Sequence, residues 1–449
     1  MVTTSTPRLA KLLTTISPVP GILASLLLFC SAQVLARADI EASWQRSDIS
    51  KLKRLYLASE LRPPDSPGNR VADNPAAATL GRAIFFDKRF SANQALSCAS
   101  CHQPDRGFTD GRALSHGVSA TMRNAPTVIS AANYKWFYWD GRRDSLWSQA
   151  LIPFEAANEM NSSRVSLLHI VSSDTNYRRQ YEKLFGPLPA QDLLSRLPEK
   201  AGPYGDLPTR TGWYRISAPL RHQINIFYAN IGKSVAAFER TLRFSPTRID
   251  RYAAQLIALA QSNTTNPIII RSQLLSHAEI AGLKLYLDDS KTHCRNCHNG
   301  QLFSNSEFYD INSAKLIGKF ADYGRELGMR AAIDDEFNCT SRYSDMPDDE
   351  KNRRCRVNSL SREPQPLAVG AFKTPTLRNL VSSAPYLHDG SLETLNDVMA
   401  HYMQRAHTFE LNTNAAQTTA QKQTHAVRQL QLTPQEQRAL IAFLLALSN

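Results

Sequence analysis

Two short segments carry the residues with the clearest chemistry. Residues 98–102 read Cys-Ala-Ser-Cys-His, and residues 294–298 read Cys-Arg-Asn-Cys-His. In this pattern, two thiols on one turn of chain can form thioethers with the vinyl groups of a porphyrin, and the histidine that follows can bind the iron. A thioredoxin-like redox pair, half a zinc site or a structural disulfide would each leave the repeated histidine unexplained. The sequence therefore predicts two covalently bound haem c groups, held by Cys98, Cys101 and His102 and by Cys294, Cys297 and His298.

The remaining cysteines have no histidine after them. Cys339 and Cys355 lie in a polar stretch rich in aspartate, arginine and serine. In an oxidising compartment such a pair is expected to form a disulfide. We therefore expect a disulfide that closes a surface loop which would otherwise be mobile.

The first 38 residues have the features of a secretion signal. They hold three basic residues and no acid, an apolar run from Gly21 to Ala36, and a small-residue pattern that ends at Ala38. The run is shorter than the roughly 20 apolar residues that a spanning helix needs, although an uncleaved anchor is the alternative. Cys30 could suggest lipidation, but the bulky Phe29 before it fits a lipoprotein cleavage site poorly. We expect residues 1–38 to be removed as a signal peptide and the mature protein to be soluble in the periplasm.

The charge pattern argues against nucleic acid as a partner. The chain has 52 lysines and arginines against 40 acids, and removal of the three basic residues of the signal lowers the formal charge from +12 to +9. Basic and acidic residues are interleaved, without the dense basic run or aromatic platform of a nucleic-acid binder. An acidic redox protein suits this surface better.

Helix signals flank both haem motifs. Residues 74–82 form a helix start before the first motif, and Ser276 with Glu279 forms a capping box before the second. Residues 433–436, Thr-Pro-Gln-Glu, open an apolar helix near the end of the chain. Strand patterns are scarce, and residues 185–212 are rich in proline and glycine and are expected to be irregular.

This organisation predicts a mostly α fold. Two similar units suggest two tandem c-type cytochrome domains, each wrapped round its covalently bound haem. A polar run at residues 261–266 precedes the second capped helix. We therefore place the N-terminal haem domain at residues 39–262 and the C-terminal haem domain at residues 263–449.

Six further segments follow the haem motifs in a fixed order. They are Phe108–Asp110, Arg123–Thr127, Tyr138–Arg142 and Asn158–Met160 after the first motif, and Phe372–Asn379 and Ala384–Gly390 after the second. This ordered set resembles the bacterial di-haem cytochrome c peroxidases and the MauG-like proteins, over most of residues 70–445. The resemblance implies a peroxidatic N-terminal haem, an electron-transfer C-terminal haem and a calcium ion between them. It also implies hydrogen peroxide as substrate, with a small periplasmic donor (a cytochrome c or a cupredoxin) or a protein substrate as partner.

The same resemblance implies catalytic roles for three residues. Glu159 matches a distal glutamate that acts as acid and base on peroxide, and Gln149 matches a neighbouring distal polar residue. A positioned carboxylate suits this task, because a proton must move from one peroxide oxygen to the other. Trp139 matches a tryptophan between the haems, where an aromatic ring can relay electrons.

The resemblance implies a calcium site as well. Asn124 and the backbone carbonyls of Thr374 and Thr376 match the calcium position of the family. Oxygen donors of this kind suit a hard cation. Many members have proline where Thr376 stands, but a backbone carbonyl does not depend on the side chain.

The sequence departs from the commoner family pattern at both distal positions. Many members block the resting peroxidatic haem with a distal histidine. Val118 aligns there, and His116 could substitute only if the loop shifts. At the second haem Tyr402 aligns with the usual distal methionine, which is the MauG-like pattern, while the adjacent Met403 is the alternative ligand. We predict an open first haem and Tyr402 as distal ligand of the second haem iron.

Three functions are compatible with these residues. The main hypothesis is a periplasmic di-haem peroxidase that reduces hydrogen peroxide to water with electrons from a small redox protein. MauG-like, peroxide-dependent oxidation of a protein substrate is the enzymatic alternative. A non-catalytic electron carrier would need protein ligands on both faces of both irons, and the first motif lacks an obvious second ligand.

Overall fold

The computed structural model describes residues 39–313, 316–317, 320–404 and 429–449. The predicted signal peptide, residues 1–38, lies outside the described residues. Among the helices that are described, none is long and apolar enough to cross a membrane.

The described part is predominantly helical, as the sequence predicts, with three short two-stranded antiparallel sheets. The α-helices are α1 (Arg46–Leu52), α2 (Pro75–Phe86), α3 (Cys98–Cys101), α4 (Leu146–Gln149), α5 (Ile152–Glu155), α6 (Arg164–Ser173), α7 (Thr175–Phe185), α8 (Gln191–Leu194), α9 (Leu207–Arg215), α10 (Ala218–Glu239), α11 (Arg248–Ser262), α12 (His277–Leu287), α13 (Arg325–Ile333), α14 (Asp348–Arg354), α15 (Leu395–Gln404) and α16 (Pro434–Leu445). The strands are β1 (Ile40–Trp44), β2 (Ile268–Ser272), β3 (Phe308–Tyr309), β4 (Leu316–Ile317), β5 (Phe320–Ala321) and β6 (Phe372–Lys373).

The predicted helix starts at α2, α12 and α16 are confirmed. The Asn74 side chain accepts hydrogen bonds from the first turn of α2, where proline holds the first position. Ser276 and Glu279 form a reciprocal capping box at α12, and Thr433 and Glu436 form another at α16. These caps satisfy amide groups that have no partner inside the helix.

Each haem motif follows a helix that crosses a later helix at a glycine. Gly81 of α2 meets the Ser234 carbonyl of α10, and a Cβ at this glycine would overlap that carbonyl. Gly282 of α12 meets the Ala439 carbonyl of α16 in the same way. Only glycine allows two helix backbones to approach so closely. These two crossings lie in two separate apolar clusters, one around α2 and α10 and the other around α12 and α16.

Replacing Gly282 with alanine should destabilise the fold by about 1–3 kcal/mol, because the added methyl group must displace the α16 backbone. Thermal or denaturant unfolding of the variant measures the effect. Gly212→Ala in α9 is the matched control, since a Cβ there would make only ordinary contacts at 3.5 Å and beyond. Equal stability of the two variants would contradict the close crossing of α12 and α16.

The first strand joins the second apolar cluster. β1 pairs antiparallel with β2, from Ile40 opposite Ser272 to Trp44 opposite Ile268. The Trp44 indole also donates a 2.9 Å hydrogen bond to the Tyr252 hydroxyl in α11. By contacts, residues 39–449 cluster as one compact unit. The domain division at residues 262 and 263 remains a prediction.

Two local predictions have different outcomes. The Cys339–Cys355 disulfide is present, with a Cα–Cα distance of 5.6 Å. The expectation that residues 185–212 are irregular is wrong in part, because α8 and the start of α9 lie there. Asp206 caps α9 by accepting a hydrogen bond from the Thr209 amide, and proline in the first helical turn is compatible with this start.

Candidate active site

One cavity of about 620 Å³ brings the two haem motifs together. Its volume is in the range of small-molecule and cofactor sites. A smaller cavity of about 50 Å³ shares part of this wall and includes Cys98. The predicted site residues that line the large cavity are Cys101, His102, Asn124, Trp139, Gln149, Glu159, Cys294, Cys297, His298, Thr374, Thr376 and Tyr402.

The two motif histidines are held in the same way. His102 Nδ1 lies 3.1 Å from the Phe108 carbonyl, and His298 Nδ1 lies 2.9 Å from the Phe303 carbonyl. Both phenylalanines have a positive φ, which turns their carbonyls back towards the histidine. A proton on Nδ1 that is donated to a carbonyl leaves Nε2 free to bind a metal.

Burial keeps both imidazoles neutral. It lowers the pKa of His102 and lowers the pKa of His298 to about 4, in each case against the opposing effect of the carbonyl hydrogen bond. A neutral imidazole is the form that binds iron. The four motif cysteines are free thiols beside these rings. Thiols, oriented imidazoles and cavity volume together fit two haem c groups.

Glu159 occupies a tight turn after α5, on the wall shared by both cavities. Its amide donates to the Ala156 carbonyl at 3.0 Å, and its carbonyl accepts from the Val118 amide at 2.8 Å. Burial raises the pKa of the Glu159 carboxyl, and nearby Arg142 partly opposes this shift. A carboxyl with a raised pKa is suited to take up and release a proton near neutral pH.

Residues 116–118 lie in a loop that packs against the turn carrying Glu159. A Cβ at Gly117 would overlap the backbone of Asn158 and Glu159, so the loop lies directly against the glutamate turn. His116 is exposed, and its Nδ1 lies 3.1 Å from the Gly117 carbonyl. Val118 is 39% exposed. The structure therefore places the alternative distal ligand, His116, at the surface.

Gln149 ends α4 on the cavity wall next to an aromatic residue. The Tyr138 hydroxyl donates to the Gln149 carbonyl at 3.1 Å. The Arg142 guanidinium lies 3.5 Å above the Tyr138 ring and pairs with Asp140 at 3.1 Å. These contacts fix the segment that carries Gln149, Tyr138 and Arg142 around Glu159.

Trp139 joins the segments that bear the predicted calcium ligands. Its indole nitrogen donates to the Asn124 carbonyl at 3.0 Å, and its own carbonyl accepts from the Lys373 amide at 2.7 Å. The Asn124 side-chain nitrogen donates to the Arg112 carbonyl at 2.7 Å, and the side-chain oxygen is the atom that the predicted calcium site would use. The Thr374 carbonyl accepts a 2.6 Å hydrogen bond from the Ser304 hydroxyl.

Tyr402 extends from α15 into the cavity beside the second haem motif. Burial raises the pKa of its hydroxyl, and the nearby thiols of Cys297 and Cys294 raise it further. Met403 packs against the second apolar cluster, and its carbonyl accepts a 2.7 Å hydrogen bond from the Gln429 side chain. The structure thus places Tyr402 on the cavity wall beside the second haem motif, and its binding to the haem iron stays a prediction.

Sequence reasoning missed two buried ionisable groups near the site. Glu239, at the end of α10, lines the small cavity, and burial raises its pKa to about 8. Lys373, in β6, lines the large cavity, and burial lowers its pKa to about 7. Lys373 belongs to the segment Phe372–Asn379, which indicates a functional site but does not indicate that this lysine is buried there. No local sequence pattern marks Glu239.

Known proteins share both the sequence pattern and the fold. Residues 75–256 match the family model described as di-haem cytochrome c peroxidase. Methylamine utilization protein MauG of Methylophilus methylotrophus is 27% identical over 332 residues, which cover 73% of this chain and 72% of that protein. Cytochrome-c peroxidase IdrP1 of Denitromonas iodatirespirans is 27% identical over 390 residues, which cover 84% of this chain and 83% of that protein.

The fold has a counterpart among solved structures. The crystal structure of a MauG-like protein associated with microbial copper homeostasis superposes with a TM-score of 0.53 at 24% identity, covering 87% of this chain and 93% of that one. At this level of identity the likeness concerns the fold. Together with the sequence matches, it makes the chain similar to the di-haem cytochrome c peroxidases and the MauG proteins.

Proposed function

We propose that the protein is a periplasmic di-haem peroxidase that reduces hydrogen peroxide to water with electrons from a small redox protein. The observation that carries this proposal is the single cavity that both haem motifs line, with Glu159 and Gln149 on its wall and Tyr402 beside the second motif. The match of residues 75–256 to the di-haem cytochrome c peroxidase model and the similarity to a cytochrome-c peroxidase support the same reaction. The two tandem haem domains, at residues 39–262 and 263–449, form part of this proposal.

The overall reaction consumes two electrons and two protons for each hydrogen peroxide and yields two waters. A haem attached at Cys98 and Cys101 and bound by His102 would supply the peroxide-binding and redox chemistry. Glu159 takes a proton from one peroxide oxygen and returns it to the other, as its position and raised pKa allow. Gln149, on the same wall, orients the peroxide by hydrogen bonding.

Trp139 and a calcium ion connect the two haem sites in this proposal. Trp139 lines the cavity and bonds to both flanking segments, so its ring can carry electrons from the second haem towards the first. Calcium would bind the Asn124 side-chain oxygen and the carbonyls of Thr374 and Thr376, which are oxygen donors from both halves of the chain.

Two covalent haems are the first expected result. Mass spectrometry of the protein, after acid and acetone extraction of any loosely held haem, should show the polypeptide with two retained haems. Steady-state peroxide consumption with a reduced small cytochrome c or a cupredoxin as donor then tests the reaction. Retention of one haem or none, or no peroxide turnover with either donor, would contradict the proposed function.

A MauG-like reaction on a protein substrate is the second candidate. The observation in its favour is Tyr402, whose side chain lies beside the second haem motif. An oxygen ligand on that iron would favour its oxidised states over a role as electron entry point. In that case an external protein supplies the electrons and is itself oxidised.

The first haem should react with peroxide in the fully oxidised enzyme. Val118 cannot bind iron, and His116 lies exposed at the surface, so neither blocks the distal side in this structure. Rapid mixing of the diferric enzyme with peroxide should change the haem spectrum at once, and His116→Ala should react at the same rate. If the wild type reacts only after one-electron reduction, and the His116→Ala variant reacts without it, His116 is a ligand of the first haem iron.

A further inference from the structure

Lys373 is a buried lysine on the wall of the cavity that both haem motifs line. Lys373 is only 8% exposed, and its Nζ lies 3.4 Å from the centroid of the Tyr134 ring. Its backbone is fixed, because the amide donates to the Trp139 carbonyl at 2.7 Å and β6 pairs with β3. The side chain is therefore held at this wall by the fold around it.

The other long cations of this wall are neutralised by acids. The pairs are Arg123 and Arg142 with Asp140, at 2.6 and 3.1 Å, and Arg378 with Asp250, at 2.8 Å. No salt bridge joins Lys373 to a carboxylate within the described part of the chain, and the nearby acid Glu307 pairs with Lys135 at 2.9 Å. Lys373 thus differs from its neighbours on the wall.

A buried ammonium group needs an anion or strong polar partners, because transfer of a charge out of water is costly. One aromatic ring compensates only part of that cost. No carboxylate of the described residues pairs with Lys373, so an anion inside the cavity would complete its environment. In a c-type site, thioethers hold the vinyl edge of the porphyrin at the cysteines, and the two propionate carboxylates extend from the other side of the ring. These carboxylates are the anions that two haems would bring into this cavity.

We propose that Lys373 binds a haem propionate at the junction between the two haem sites. The proposal rests on the haem content of the proposed function, and it adds a cofactor-binding residue from the second half of the chain. The carboxylate could belong to the haem attached at Cys98 and Cys101 or to the haem attached at Cys294 and Cys297. The ammonium would then offset negative charge beside that haem and favour its reduced form.

The test is a redox titration of variants that remove or keep this charge. Lys373→Met and Lys373→Gln remove it with different polarity, and Lys373→Arg keeps it. Lys135→Met is the matched control, because it removes a lysine that is paired with Glu307 near the surface. The high-spin and low-spin ferric signals are followed separately by electron paramagnetic resonance, so that each haem gives its own midpoint potential.

For one haem, both neutral variants should lower the ratio of reduced to oxidised iron at a fixed potential by about tenfold, the size expected for one partly buried charge. Lys373→Arg and Lys135→Met should leave that ratio close to wild type. The haem whose signal shifts identifies the source of the carboxylate. Unchanged potentials in both neutral variants would overturn the proposal. A midpoint potential of the wild-type protein that changes with the concentration of added acetate or phosphate would also overturn the proposal, because Lys373 would then bind a free anion.

Failure of the proposed function would be seen independently. The wild-type protein is assayed in parallel for two covalent haems and for peroxide turnover. If both are present and the potentials do not respond to Lys373, only the propionate assignment fails. If two haems are absent from the wild type, the proposed function itself fails.

Discussion

Replacing Glu159 with glutamine should lower kcat/KM for peroxide by about 10²- to 10⁴-fold, the usual contribution of a general acid–base group. Glutamine keeps the size of the side chain and its place in the turn, but it cannot take up and return a proton. The haem spectra should stay unchanged, because the proposed role of Glu159 is proton transfer and not iron ligation. Rapid-mixing kinetics with peroxide measure the loss.

The pH profile gives a second readout for Glu159. Because the base must be deprotonated to accept the peroxide proton, wild-type activity should fall as the pH drops through the raised pKa of this carboxyl. That acid limb should disappear in Glu159→Gln. Glu60→Gln, at an exposed carboxylate, is the control and should keep the wild-type rate and profile. Full activity of Glu159→Gln would remove this residue from the mechanism.

Replacing Tyr402 with phenylalanine should change the reduction potential and the spectrum of the second haem more than those of the first. If the tyrosine oxygen binds the iron opposite His298, its loss removes an anionic ligand that stabilises ferric iron. The midpoint potential of that haem should then rise by on the order of 100 mV, within the range of about 0.8 V that axial ligands can produce. The low-spin ferric spectrum should change as well.

Met403→Leu is the matched variant for this test. Met403 packs against the second apolar cluster, and leucine is close to it in volume, so the second haem should keep its spectrum and potential. The opposite pattern, with an effect of Met403→Leu alone, would identify the methionine as the ligand. The argument for MauG-like chemistry would then lose its basis, whereas peroxide reduction at the first haem would not be affected.

Local signals predicted much of what positions the site. The haem motifs and the helix caps at Asn74, Ser276 and Thr433 are defined by residues a few positions apart, so the sequence alone reveals them. Pairing of β1 with β2 could not be predicted in this way, because it joins segments that are far apart in the chain. The environments of Lys373 and Glu239 are equally non-local, since several elements together bury each group.

The placement of His116 also could not be predicted from the sequence, for a different reason. Its sequence neighbours allow it to reach the first haem, but the loop is fixed by Gly117 against the turn that carries Glu159. The Val118 amide bonds to that same turn at 2.8 Å. Only the packing of two loops distinguishes an exposed histidine from a distal ligand.

The two glycine crossings also set an order of events during synthesis. In each half, the helix that crosses at the glycine lies on the C-terminal side of the haem motif: Ser234 follows the first motif, and Ala439 follows the second. Synthesis from the N-terminus therefore completes each Cys-x-x-Cys-His segment before the helix that crosses at the glycine exists. The motif thiols therefore stay accessible until the later helix packs across the glycine. A crossing partner on the N-terminal side would have been able to pack against α2 or α12 before the motif thiols were made.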